Sequence, residues 1–134
     1  MGHFTSIPVL SVLVAALSGF VIGGLWYGPV FRKPWMKYSG MSFERGKQQK
    51  PALVFGGAYV LNVVAATSIA FLLPAAHSGL LGVHVGAFAG LLLVGPALGV
   101  IYLFESRPWQ LWLINTGYQT VNFAAMGAII GAWK

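Results

Sequence analysis

The stretch Leu25-Trp26-Tyr27-Gly28-Pro29, continued through Arg32-Lys33-Pro34-Trp35 to Glu44-Arg45-Gly46-Lys47-Gln48-Gln49-Lys50, decides how this chain is read. It leaves a long apolar run, and it holds six of the eight Lys and Arg residues and one of the two acids. Charge gathered into one short connection leaves the material on either side free to lie in hydrocarbon. Composition agrees. Of 134 residues, 57% are hydrophobic and 7% charged, and mean hydropathy is +0.77, whereas a soluble domain is about one quarter charged.

Working outward, four apolar segments stand at 7–27, 52–73, 80–104 and 110–133, with no Asp, Glu, Lys or Arg inside them. Each has about the twenty residues that span a ~30 Å hydrocarbon core. Pro29, Pro51, Pro74 and Pro108 fall at segment boundaries, where helices stop or start. Nothing shows the alternating ten-residue pattern of barrel strands. The expected fold is all-α, an integral membrane four-helix bundle forming one domain over 1–134, with a basic loop at 28–51. Residues 42–50 are expected to form a short interfacial turn. Met1 to Ser6 carry no Lys or Arg, so the basic start of a secretory signal is missing and the first segment reads as a retained helix.

Basic residues set the orientation. Arg32, Lys33, Lys37, Arg45, Lys47, Lys50 and Arg107 lie in the first and third connections, against Lys134 alone on the other side. The positive-inside rule then places both connections in the cytoplasm and both ends of the chain outside. Trp26, Tyr27, Trp35, Tyr38, Tyr102, Trp109 and Trp112 gather at the same level, as amphipathic rings do at headgroups. Net charge of +6 by itself fits a nucleic-acid binder, but apolar runs of this length exclude that reading. With no cysteine, thiol chemistry and disulfides are excluded too.

Two patterns concern packing. Phe31-Arg32-Lys33-Pro34-Trp35 is echoed by Phe104-Glu105-Ser106-Arg107-Pro108-Trp109, which suggests two helix hairpins related by a parallel repeat, although interface chemistry can produce so short a signature twice. Small residues recur at Ala15, Gly19 and Gly23, at Gly82, Gly86, Gly90, Gly95 and Gly99, and at Ala124, Gly127, Ala128, Gly131 and Ala132. In lipid, helices associate where small residues admit a close approach, so tight packing is expected and surplus faces point to a homo-oligomer. Gly95-Pro96 predicts a kink in the third helix.

The polar residues are few. Asn115, Gln119 and Asn122 share one face of the fourth helix, beside Tyr118 and continued by Met126, and Asn62 of the second helix stands at a matching depth. Amides in lipid must face protein or water. The stripe therefore either lines a polar pore or pocket, with His84 as a further member, or supplies hydrogen bonds between helices, which is the more ordinary use. His3, His77 and His84 all map to the outer side, but no carboxylate stands near to orient them as metal ligands, and no metal site or cofactor is expected. Glu105 and Arg107 predict an interfacial ion cluster, at the level of Arg32 and Lys33. Small multidrug-resistance transporters match in size and helix number, but their membrane-embedded glutamate has no counterpart in the first helix. Phosphate-binding loops, HExxH and paired carboxylates are absent, so no enzyme is expected.

Leu25-Trp26-Tyr27-Gly28-Pro29, Lys33-Pro34-Trp35-Met36-Lys37 and Gly40 resemble the first hairpin of the domain of unknown function seventeen sixty-one family, small four-span bacterial membrane proteins. Trp112-Leu113-Ile114-Asn115-Thr116-Gly117-Tyr118 and the run from Met126 to Trp133 are similar to its last helix. The resemblance covers nearly the whole chain and implies the topology, but no activity, cofactor or site residue. After Gly40 the loop is polar as in relatives, yet more basic than acidic. Two functions stay open: a small transport or channel-like homo-oligomer using the helix-four stripe, or a non-transporting scaffold or regulator whose loop binds anionic lipid or a partner protein. For the second, the contacts are Arg32, Lys33, Lys37, Arg45, Lys47 and Lys50.

Overall fold

The computed structural model describes residues 8–74 and 77–133. The ends of the chain, with His3 and Lys134, lie outside the described residues. Among those residues every regular element is helical. Pro8, extended at φ −69° and ψ 118°, opens α1 (Val9–Leu25). The helix passes without a break into a π-helical turn, Trp26–Val30, that contains Pro29. A proline ring collides with the carbonyl four residues back, and the wider π turn makes the room. The first helix thus reaches Val30, past the expected end at Tyr27.

The basic connection is not a loop with one turn in it. Phe31 breaks the helix at φ −121° and ψ 16°, and α2 (Arg32–Ser39) follows. Gly40 closes it at φ 77°, a left-handed position that glycine alone takes without strain. A short α3 (Phe43–Lys47) comes next, within the expected 42–50 segment. Pro51 occupies the first turn of α4 (Pro51–Leu72), where its missing N–H costs nothing. Ser78 caps α5 (Gly79–Phe88), accepting from the Leu81 amide at 3.2 Å. The π-helical stretch Ala89–Val94 joins α5 to α6 (Gly95–Phe104), so the expected irregularity at Gly95-Pro96 takes the form of a changed winding just ahead of the proline. Ser106 at φ 58° ends α6, with Arg107 N–H bonded to Tyr102 O at 2.9 Å and Ser106 N–H to Leu103 O at 3.3 Å. That pair of bonds is a Schellman closure, with serine where glycine is usual. Pro108 then opens α7 (Trp109–Ala132).

Among the described residues three helical rods are long and apolar enough to cross a membrane: Val9–Val30 with 22 residues, Pro51–Leu72 with 22 and Gly79–Phe104 with 26. The fourth expected span, α7, has 24 residues but lacks their hydropathy because of Asn115, Gln119 and Asn122. Its position explains the difference. α7 packs against α1, α4, α5 and α6, against α2 and against the π-helical stretch Ala89–Val94, whereas α4 has little of its surface covered. Where helices meet one another, small and polar side chains serve the contact, so the composition of α7 on those faces follows its protein neighbours. Val12, Ala15, Ala66, Ile69, Ala70, Leu73, Met126 and Ile130 form a core at the end where α1 and α5 begin.

α5 and α7 approach most closely. A Cβ placed on Gly82 would overlap the carbonyl of Gly127, one on Gly86 that of Phe123, and one on Gly131 that of Ser78. The small residues of the first, third and fourth spans are therefore occupied inside the protomer: Gly19 lies under Asn62 and Asn122, Gly23 against Tyr118, and Gly79 against Ala132. Gly56 and Gly57 on α4, by contrast, face open space. Trp35 sits inside the short α2, whereas Trp109 begins the long α7, so the two Pro-Trp echoes occupy different local structures. Gly82→Ala and Gly127→Ala should each lower stability by about 1–3 kcal/mol through overpacking. Gly57→Ala should leave it unchanged or raise it by up to about 1 kcal/mol. Denaturation in detergent micelles measures both, and a fully stable Gly82→Ala protein would contradict the close approach.

Candidate functional site

The polar residues concentrate at the end where α1 finishes and α7 begins. Its geometry starts from the π turn, which directs two consecutive aromatic side chains at α7. Trp26 donates its indole N–H to Ile114 O at 2.9 Å and lies on Gly117, where a Cβ would come within 2.8 Å of the ring. Tyr27 donates its hydroxyl to Asn115 Oδ1 at 2.6 Å, and Asn115 Nδ2 donates to the Tyr102 hydroxyl at 2.8 Å. One amide thus ties α1 to α6 through α7. Tyr118 donates to Gly19 O at 3.0 Å, and Trp112 donates its indole N–H to Gly95 O at 2.8 Å. Ring contacts close the layer, with Tyr27 centred 5.3 Å from Tyr118 and 5.4 Å from Trp35.

A second amide pair lies deeper. Asn122 is fully buried, and its Nδ2 stands 3.5 Å from Asn62 Oδ1, while Asn62 Nδ2 stands 3.5 Å from Ala16 O. Both bonds are at the long limit of hydrogen bonding. Gly19 makes room for the two amides, since a Cβ there would meet both. Asn122 Oδ1 and Thr116 Oγ1 are buried without a protein partner among the described residues.

The residues singled out in the sequence therefore fall into separate places. Asn115 joins Tyr27 and Tyr102; Asn122 joins Asn62; Tyr118 reaches the backbone of α1. Gln119 is half-buried and its side chain has no hydrogen-bond partner among the described residues. His84 is exposed on α5, its Nδ1 2.8 Å from Leu80 O of its own helix, apart from the asparagines. His77 Nδ1 lies 2.7 Å from Gly131 O, and His3 lies outside the described residues. Among those residues no group of three His, Cys, Asp or Glu side chains is placed to hold a metal. Glu105 and Arg107 pair at 2.7 Å, with Arg107 centred 5.7 Å from the Tyr102 ring.

The cations of the first connection are exposed: Arg32, Lys33 and Lys37 on α2, Arg45 and Lys47 on α3, and Lys50 ahead of α4. Arg45 donates to Gly40 O at 3.2 Å, so α3 is held back against the end of α2. Between these short helices and the end of α1 opens a cavity of about 400 Å³, lined by Tyr27, Trp35, Met36, Arg32, Lys47 and Ser42 among others. Nothing in the charge pattern shows that α2 folds these cations around a hollow, and nothing in helical spacing pairs Asn115 with Tyr27 and Tyr102. The Gly-Pro pair that forces the π turn was the available signal.

The family model described as Protein of unknown function (DUF1761) matches residues 10–131. No curated protein and no solved structure matches the chain. Asn115→Ala should cost about 1–2 kcal/mol, since interhelical hydrogen bonds in membrane proteins average about 0.6 kcal/mol and reach about 1.7, and two are lost. In a double-mutant cycle with Tyr27→Phe, unfolding in mixed micelles should show the pair coupled. Additive effects would mean that the hydroxyl and the amide do not meet.

Proposed function

The chain belongs to the DUF1761 family, proteins of unknown function, and from that membership and the geometry we propose that it is a four-span, non-transporting protein of the bacterial inner membrane whose basic first connection binds anionic headgroups of the cytoplasmic leaflet. The observation that carries this reading is the exposure of all six cations of 28–51 at the aromatic end of the helices. Three rods have the length and apolarity to span, and α7, enclosed by them, completes the set. The connection between α6 and α7 lies at the same end, as the Asn115 bonds to Tyr27 and Tyr102 require. With seven of eight basic residues in these two connections, the positive-inside rule puts that end in the cytoplasm. Each Lys or Arg at an anionic surface contributes about 1 kcal/mol.

The amides of α7 support a structural use over a transport path. Asn115 spends both its donor and its acceptor on other helices, and Asn122 packs on Asn62 and Gly19. The competing reading, a small transport or channel-like protein, draws on the two buried atoms without a partner, Asn122 Oδ1 and Thr116 Oγ1, which a water or ion in a path would satisfy.

Two measurements separate the readings. Spin-labelled lipids should show anionic lipid enriched beside the reconstituted protein at low salt. Neutralising Lys33, Lys37 and Lys50 to Gln should remove most of that enrichment, and an unchanged preference would overturn the proposal. The chain has no cysteine, so Asn122→Cys gives a single thiol. That thiol should stay inert to membrane-impermeant reagents, and rapid labelling would favour the transport reading.

A further inference from the structure

We propose that Met36 and Met41 form an oxidation site, at which peroxide turns two thioethers into sulfoxides and so frees α3 from the end of α1. Both residues line the cavity of about 400 Å³, beside Tyr27 and Trp35. The turn at Gly40, left-handed at φ 77°, brings them together. Met36 lies on α2 ahead of the turn and Met41 follows it, so the reversal lays one thioether from each arm against the same hollow.

The fold makes these two sulfurs reachable and shields a third. Met36 and Met41 are half-buried at the cavity, whereas Met126 is fully buried in the core with Val12 and Ile69. Met1 lies outside the described residues. The chain has no cysteine, so no thiol of its own competes for the oxidant. In the reaction a sulfur lone pair takes one oxygen of hydrogen peroxide. The O–O bond breaks, an S–O bond forms, and the other oxygen leaves as water with both hydrogens. Sulfur loses two electrons and the peroxide gains them. Methionine sulfoxide reductases return the product to the thioether.

The consequence follows from polarity. A thioether is apolar and packs favourably beside aromatic rings. A sulfoxide oxygen is a strong acceptor, and holding it away from water without a donor is costly. The Tyr27 hydroxyl is already spent on Asn115, so the oxygens are best satisfied by turning outward to water. The two arms resist this unequally. α2 packs on α7 and on the π turn, and Trp35 lies 5.4 Å from Tyr27. Among the described residues α3 has no comparable packing on the long helices. Its bonds include short-range ones, from the Arg45 guanidinium to Gly40 O and from the Arg45 amide to Ser42 Oγ. α3 is therefore the arm that moves. Sulfoxidation changes no charge, so this effect stands apart from the attraction of the connection for anionic headgroups.

The test uses the full chain in nanodiscs of zwitterionic phospholipid, treated with hydrogen peroxide. Peptide mass mapping should show one added oxygen on Met36 and on Met41, gained about tenfold or more faster than on Met126, because oxidation follows exposure. Trp35 emission should shift to the red as water enters, with Trp35→Phe identifying the reporting ring, and trypsin should cut faster at Arg45 and Lys47. Met36→Leu with Met41→Leu keeps the volume and apolarity of the wall and should make both readouts silent to peroxide. Met36→Gln with Met41→Gln should show the shifted emission and the faster cleavage with no oxidant present. Oxidation of Met36 and Met41 no faster than that of Met126 would overturn the site. Full oxidation of both, with emission and cleavage unchanged, would overturn the release of α3.

Discussion

A primary amide withdrawn from water has to find partners for both its ends, and the carboxamide of Asn115 finds them on two different helices. Its oxygen accepts from Tyr27 and its nitrogen donates to Tyr102. Through this one side chain α1, α6 and α7 are tied together. The rest of the aromatic layer follows from it. With Tyr27 in place, its neighbour Trp26 meets Ile114 O and the bare Gly117, and Tyr118 turns toward α1. Tyr27 comes within reach only because the π turn around Pro29 rotates the end of α1. A proline usually regarded as a helix stop here serves to aim a side chain.

The same logic explains why the most polar long helix is the most enclosed. Apolarity is a requirement for surfaces that meet lipid, and α7 meets α1, α4 and α5 instead. On its α5 side, the glycines bring two backbones into contact, and packing rather than hydrophobicity holds them. On its α1 and α4 side, Asn62 and Asn122 meet across Gly19. Enclosure by glycine on one flank and by amides on the other gives α7 two different kinds of neighbour. That asymmetry is what places α5 and α4 on their respective sides.

Helix ends are legible where prolines and charges punctuate the chain, although the first helix runs on through Pro29 to Val30. The family resemblance rested on the Trp-Tyr-Gly-Pro and Asn-Thr-Gly-Tyr runs, and a family match over 10–131 bears it out. Other features were hidden for physical reasons. Spacing on a helix shows which residues share a face, but not that Asn115 and Asn122 would find separate partners, since those partners lie 13 and 88 residues away for one and 60 for the other. The π segments leave no pattern in hydropathy. α2 was obscured by its own composition, because Arg32, Lys33 and Lys37 read as a charged loop until Trp35 is seen packing on Tyr27.

That last contact joins the two halves of the molecule's chemistry. Tyr27 presents its hydroxyl to the interior and its ring to Trp35, so one residue belongs both to the interhelical network and to the wall of the basic cavity. Tyr27 joins the cavity to the long helices, while Trp35, Met36 and the cations belong to the short helices α2 and α3. The exposed charge of 28–51 is in this way folded over Tyr27 rather than spread along the connection.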